Sequence, residues 1–165
     1  LATIVQIFGE EKGFDYMKGL HANINQYTKS GSAPIKAAAR GENTIGVAFL
    51  HGVVKQAVSG FPVDGVAPCE GTGYEIGSMS IIDGARNVDE AKMFYDWALS
   101  AKAQSEAWKV KSFQVPSNVS AESSPLAPDP ASINLIDYDF KLYGSSAERK
   151  RLLKKWDDEV SVLPQ

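Results

Sequence analysis

Apolar residues at positions 1, 4, 5 and 8 (Leu1, Ile4, Val5, Phe8) open the chain with helical spacing, and Gly9 ends that run. A second helix is predicted from Glu10 to Leu20, with Phe14, Met17 and Leu20 on one face. Ile24 to Tyr27 reads as a short strand. A polar run, Thr28-Lys29-Ser30-Gly31-Ser32, then leads into a small helix carrying Ile35, Ala38 and Ala39. Ser32 is its expected cap, Pro34 suits its first turn and Gly41 closes it. Thr44 to Leu50 is predicted as a strand with His51 at its C-terminal end, followed by a helix from Val53 to Val58. Val63–Ala67 and Tyr74–Ile82 read as further strands.

The second half is more helical. Asn87-Val88-Asp89-Glu90 has the form of a capping box, and Ala91, Phe94, Tyr95, Ala98 and Leu99 follow at i, i+3, i+4, i+7 and i+8. Another helical stretch is expected from Ala101 to about Val110. Residues 115–130 turn to Pro, Ser, Ala and Asn, which predicts irregular surface chain. Ser145 to Glu148 caps a last helix whose Leu152, Leu153, Trp156 and Val160 form an apolar stripe opposite Arg149, Lys150, Arg151, Lys154 and Lys155. Short strands alternating with helices predict an α/β layer structure with a helical C-terminal tail.

Length and composition narrow the picture. At 165 residues and 44% apolar content, the chain suffices for one core. A net charge of −3 lacks the basic excess of a nucleic-acid binder. No apolar run approaches the roughly 18 residues that a membrane-spanning helix needs. The single cysteine, Cys69, allows no intrachain disulfide. The chain begins in the middle of an amphipathic pattern, without Met or a capping residue, as expected for a piece of a longer protein.

Chemistry concentrates in a few places. Pro68 to Ile82 is a glycine-rich loop running into a predicted strand, with Thr72, Tyr74 and Glu75 offering a hydroxyl, a phenol and a carboxylate. Such loops bind ligands at the strand ends of α/β proteins. Ser30, Gly31 and Ser32, with Lys29, precede a predicted helix and suit an anion. His51 stands one loop from Thr72 to Glu75; a neutral imidazole can donate on one side and accept on the other, as hydroxyl recognition requires. Cys69, His51 and Glu75 are the residue types of a nucleophilic site, but no predicted helix N-terminus follows Cys69 to activate its thiol. The spacing of His21, His51 and the carboxylates predicts no metal site.

Taken together, Tyr27-Thr28-Lys29-Ser30-Gly31, Ala37-Ala38-Ala39-Arg40-Gly41-Glu42, Glu70-Gly71-Thr72-Gly73 and Gly84-Ala85-Arg86-Asn87 with Ala91-Lys92 resemble the solute-binding proteins of bacterial ABC importers, in the iron(III) branch. The resemblance implies one lobe of a two-lobed periplasmic-binding-protein fold. Residues 1–114 would be the C-terminal α/β lobe, and residues 115–165 a segment and tail returning to an absent N-terminal lobe. Ferric binders of that branch carry adjacent tyrosines where this chain has His51-Gly52, which disfavours iron. Relatives that bind phosphorylated sugars resemble it instead, with a histidine at this point and a glutamate in the Gly-Thr-Gly loop. Many of them have an aspartate where Gly52 stands.

The resemblance therefore implies a non-enzymatic, periplasmic or lipid-anchored receptor that delivers a small anionic solute, a sugar phosphate or other organic phosphate, to a membrane permease. Ferric iron is the alternative. The implied ligand-binding residues are Ser30, Gly31, Ser32, His51, Thr72, Tyr74 and Glu75, with no resident cofactor or metal. The tail stripe, without the other lobe, is expected to expose an apolar patch and promote self-association.

Overall fold

The computed structural model describes residues 1–164. Its helices are α1 (Ala2–Phe8), α2 (Glu10–His21), α3 (Ala33–Ala39), α4 (Leu50–Val58), α5 (Val88–Leu99), α6 (Ala101–Ser105), α7 (Phe140–Tyr143) and α8 (Ser146–Glu159). Two 3-10 turns, Ala107–Val110 and Pro130–Ser132, complete the order. The described residues divide into two compact units: residues 1–28, 67–74 and 130–164 form one, and residues 29–66 and 75–129 the other.

In the first unit, α1 and α2 form a hairpin hinged at Gly9, whose φ of 79° is in the range that glycine tolerates. Gly13 lets the hairpin close: a Cβ there would meet the Ile4 carbonyl oxygen at 3.2 Å. Val5, Phe14 and Met17 from this hairpin bury against Leu152 and Val160, with Trp156 packed alongside. The apolar stripe of α8 thus seats on α1 and α2 within the chain. That removes most of the exposed patch on which the expected self-association rested; Leu153 alone of the stripe is exposed. Ser145 caps α8 as predicted, its hydroxyl accepting from the Glu148 N–H at 3.2 Å. Above the hairpin, Glu10 takes a two-pronged ion pair from Arg151 (2.9 and 2.6 Å) and a third bond from Lys155 (2.8 Å). Helix α7 was not foreseen; Asp139 caps it by accepting from the Leu142 N–H at 2.9 Å.

In the second unit, α3 and α4 pack together, with Gly52 of α4 facing the Ile35 side chain of α3. The extended segment 44–49 runs along α3. Its Gly46 lies so close to the Pro34 carbonyl that a Cβ would meet that oxygen at 2.6 Å. Helix α5 starts after Asn87, but the Asn87 side chain makes no cap bond, contrary to the capping box. Its expected apolar stripe is only partly covered, with Ala91, Tyr95 and Ala98 half-buried and Phe94 and Leu99 exposed. The helix expected over 101–110 breaks into α6 and a 3-10 turn, after which Lys111 takes up a left-handed conformation. Residues 115–129 are irregular, as predicted.

The strands are where the structure departs most from expectation. Among the described residues the β pairing consists of one parallel bridge, Thr72 with Leu135. The segments 24–27, 44–50, 63–67 and 74–82 have no ladder. A strand is defined by a neighbour that takes its N–H and C=O groups, and alternation in the sequence does not supply that neighbour. The alternation itself is present: Ile45 and Val47 point outward at 82% and 79% exposure, while Gly46 and Ala48 between them are partly covered.

Candidate functional site

His51 does not end a strand. Phe49 is extended (ψ 136°) and forms the N-cap of α4, whose first residue is Leu50, so His51 lies in the first turn of a nine-residue helix. One turn along, Lys55 lies on the same face. Ser32, the N-cap of α3, and Lys36 within it have the same i, i+4 spacing.

These four residues, with Ile35 and the segment around Lys111, line a cavity of about 310 Å³ within the second unit. That volume sits at the lower end of the range for small-ligand sites, roughly 300–1,000 Å³. Its lining contains three lysines and no aspartate or glutamate. Among the described residues none of Lys36, Lys55 and Lys111 pairs with a carboxylate. Ser32 and the three lysines are solvent-exposed, so the cavity is an open one with a cationic lining.

His51 is half-buried and its ring stacks on Phe49, with centroids 5.5 Å apart and planes 18° apart. Phe49 in turn covers Gly31, where a Cβ would meet the ring at 2.9 Å. Gly31 thus lets the Phe49 ring, which stacks on His51, lie close against the loop backbone. Burial first, and then the charge of Lys55, hold the His51 imidazole below its usual range. It is accordingly neutral at pH 7, with one ring nitrogen donating and the other accepting. The Ser30 and Ser32 hydroxyls lie 3.2 Å apart. Ser32 is the N-cap residue of α3 but makes no side-chain cap bond, so the predicted capping role is absent.

Of the residues singled out in the sequence, Ser32 and His51 line the same cavity, and Ser30 and Gly31 adjoin Ser32. Glu75, in the same unit, is exposed and is not part of the lining. Thr72 and Tyr74 belong to the first unit. There Thr72 is tied into the parallel bridge: its N–H donates to the Asn134 carbonyl at 2.9 Å and its carbonyl accepts from the Ile136 N–H at 3.0 Å. Tyr74 packs edge-on against Phe140, 5.3 Å between centroids. Cys69 is exposed, and its thiol donates to Glu70 at 3.3 Å.

Lys36, Lys55 and Lys111 were missed in the sequence because each looks like an ordinary solvated charge. A signal existed for two of them. Starting the helix at Leu50 instead of Val53 would have placed His51 and Lys55 on one face, and the Ser32–Lys36 spacing was already visible.

Comparison with known proteins places this site in context. Residues 1–142 match the family of bacterial extracellular solute-binding proteins. An uncharacterized protein of Haemophilus influenzae is 53% identical over 163 residues, covering 98% of this chain and 47% of that protein. The periplasmic binding protein AfuA from Actinobacillus pleuropneumoniae, solved with fructose-6-phosphate bound, superposes with a TM-score of 0.93 at 54% identity over 98% of this chain and 51% of its own. The periplasmic binding protein P5PA superposes with a TM-score of 0.84 at 38% identity, over 97% of this chain and 51% of its own. The chain spans about half the length of these relatives. Its path is that of the matching half of a periplasmic binding protein, although helices outweigh the predicted strands. The chain belongs to the bacterial extracellular solute-binding protein family.

Proposed function

We propose that this chain is one lobe of the substrate-binding component of an ABC importer, which captures a sugar phosphate or related organic phosphate and hands it to a membrane permease. The observation that carries the reading is the cavity in which Ser32 and His51 meet three unpaired lysines without a carboxylate. Positive charge there favours an anion, and the seryl hydroxyl and neutral imidazole suit phosphoryl oxygens and sugar hydroxyls. The similarity to AfuA, a protein solved with fructose-6-phosphate, supports the same ligand class.

In this reading the residues of the absent half of the protein close over the ligand from the other side. A hinge motion is then driven by contacts that the ligand makes only in the closed state. Ser30 and Gly31, next to Ser32 in the chain, supply further polar contacts. The work is binding and release, with no bond made or broken, and its place is the periplasm or the outer face of the cytoplasmic membrane. Ferric iron is disfavoured, because three neighbouring ammonium groups repel a trivalent cation.

Isothermal calorimetry on the full-length protein tests the assignment. Fructose-6-phosphate should bind, fructose should bind far more weakly, and Ser32→Ala should weaken the phosphate ligand. Equal affinity for sugar and sugar phosphate would refute the anionic reading.

A further inference from the structure

Six of the described residues have a backbone with φ between 63° and 121°; five are glycines (Gly9, Gly41, Gly60, Gly71, Gly84) and the sixth is Lys111. Lys111 has φ 63° and ψ 31°, the left-handed conformation, and it terminates the 3-10 turn Ala107–Val110. Its N–H donates to the Trp108 carbonyl at 3.0 Å, and the Ser112 N–H reaches back to the Ala107 carbonyl at 3.0 Å. This is a helix stop at which glycine is the favoured residue, because a Cβ is penalised there. At every other positive-φ position among the described residues the chain has glycine. Here it keeps a long cationic side chain at a conformational cost, and the same residue lines the cavity beside Lys36 and Lys55. The next residue but one, Phe113, is buried, at 5% exposure.

We propose that Lys111 is a ligand-reading residue: it is retained at a glycine position to place positive charge in the cavity, and with Lys36 and Lys55 it selects a doubly charged phosphoryl group over a singly charged or neutral one. The inference rests on the reading of this cavity as the ligand site. Strain held at a ligand clamp is a recurrent trade of stability for function.

The trade is directly measurable in the full-length protein, using fructose-6-phosphate as probe. Lys111→Gly should raise the melting temperature of the ligand-free protein by about 2–4 °C, since it relieves the left-handed strain. It should at the same time weaken fructose-6-phosphate binding about tenfold. Lys111→Arg keeps both the charge and the strain, so it should leave melting temperature and affinity near wild type. Unchanged affinity in Lys111→Gly overturns the proposal. So does a fall in its ligand-free melting temperature, which would mean that the side chain is structural. A wild-type protein that ignores fructose-6-phosphate altogether overturns the function reading first, and this inference with it.

Discussion

His21 and Leu163 are 142 positions apart in sequence, yet the imidazole Nε2 of the first lies 3.0 Å from the carbonyl oxygen of the second. A carbonyl only accepts, so Nε2 must carry the proton. In the neutral ring Nδ1 is then the acceptor, and the Tyr27 hydroxyl, 2.9 Å away, donates to it. The Tyr27 ring stacks on His21 and meets Trp156 edge-on at 5.5 Å. One buried side chain thus joins the end of α2, the segment after it and the residues beyond α8.

Replacing this junction should be costly. His21→Ala removes two hydrogen bonds and leaves a cavity, for an expected loss of about 2–3 kcal/mol. Tyr27→Phe removes one hydrogen bond on a half-exposed ring and should cost about 1 kcal/mol. Urea denaturation of the two variants checks both the sizes and the order.

The Glu10 ion pairs predict an acid limb to stability. Hydrogen bonds from Arg151 first, and from Lys155 next, hold the Glu10 carboxyl down at about 2, against an ordinary value of 4.5. Between those values the unfolded chain binds a proton that the folded chain refuses. The contribution is therefore fully present above pH 4.5 and is lost as the pH falls toward about 2. Glu10→Gln should flatten that part of the stability–pH curve and lower stability at pH 7 by the same amount, which solvent screening of these partly exposed pairs keeps modest. An unchanged acid limb would remove Glu10 from its cause.

At Gly46 the wall of α3 leaves no room for a methyl group. Gly46→Ala would set a Cβ 2.6 Å from the Pro34 oxygen and 2.9 Å from its carbonyl carbon, both backbone atoms that cannot rotate away. The expected loss is about 1–3 kcal/mol. Gly77→Ala, where nothing lies within 4 Å, is the control and should be near neutral. Thermal melts of the pair decide the point.

Helical segments were legible in the sequence where periodicity and punctuation agreed. Gly9 separates α1 from α2, Pro34 and Gly41 bracket α3, and Ser145 opens α8, all as the residue types imply. The strands were not legible, because outward Ile45 and Val47 specify an alternating face without specifying which chain lies beside it. His51 was misplaced because the predicted helix began at Val53, whereas it begins three residues earlier, at Leu50. The cationic lining was hidden because Lys36, Lys55 and Lys111 come from three separate elements, and a charge in a list of residues does not reveal whether a carboxylate faces it.

The neutral state of His51 gives a graded prediction for binding. His51→Ala should weaken fructose-6-phosphate binding by tenfold or more in the full-length protein, without a matching loss of stability. His51→Gln, whose amide also donates and accepts, should recover part of that loss. Calorimetry that finds Gln no better than Ala would show that charge or shape, and not the paired donor and acceptor, is what the ligand needs.

The most direct test of the central claim is a thermal-shift titration of the full-length protein with fructose-6-phosphate, inorganic phosphate, fructose and ferric citrate in parallel. A ligand that binds the folded state raises its melting temperature, by an amount that grows with concentration over Kd. The cationic cavity predicts a large shift with fructose-6-phosphate, a smaller one with inorganic phosphate and none with fructose. A shift with ferric citrate alone, accompanied by visible colour, would contradict it.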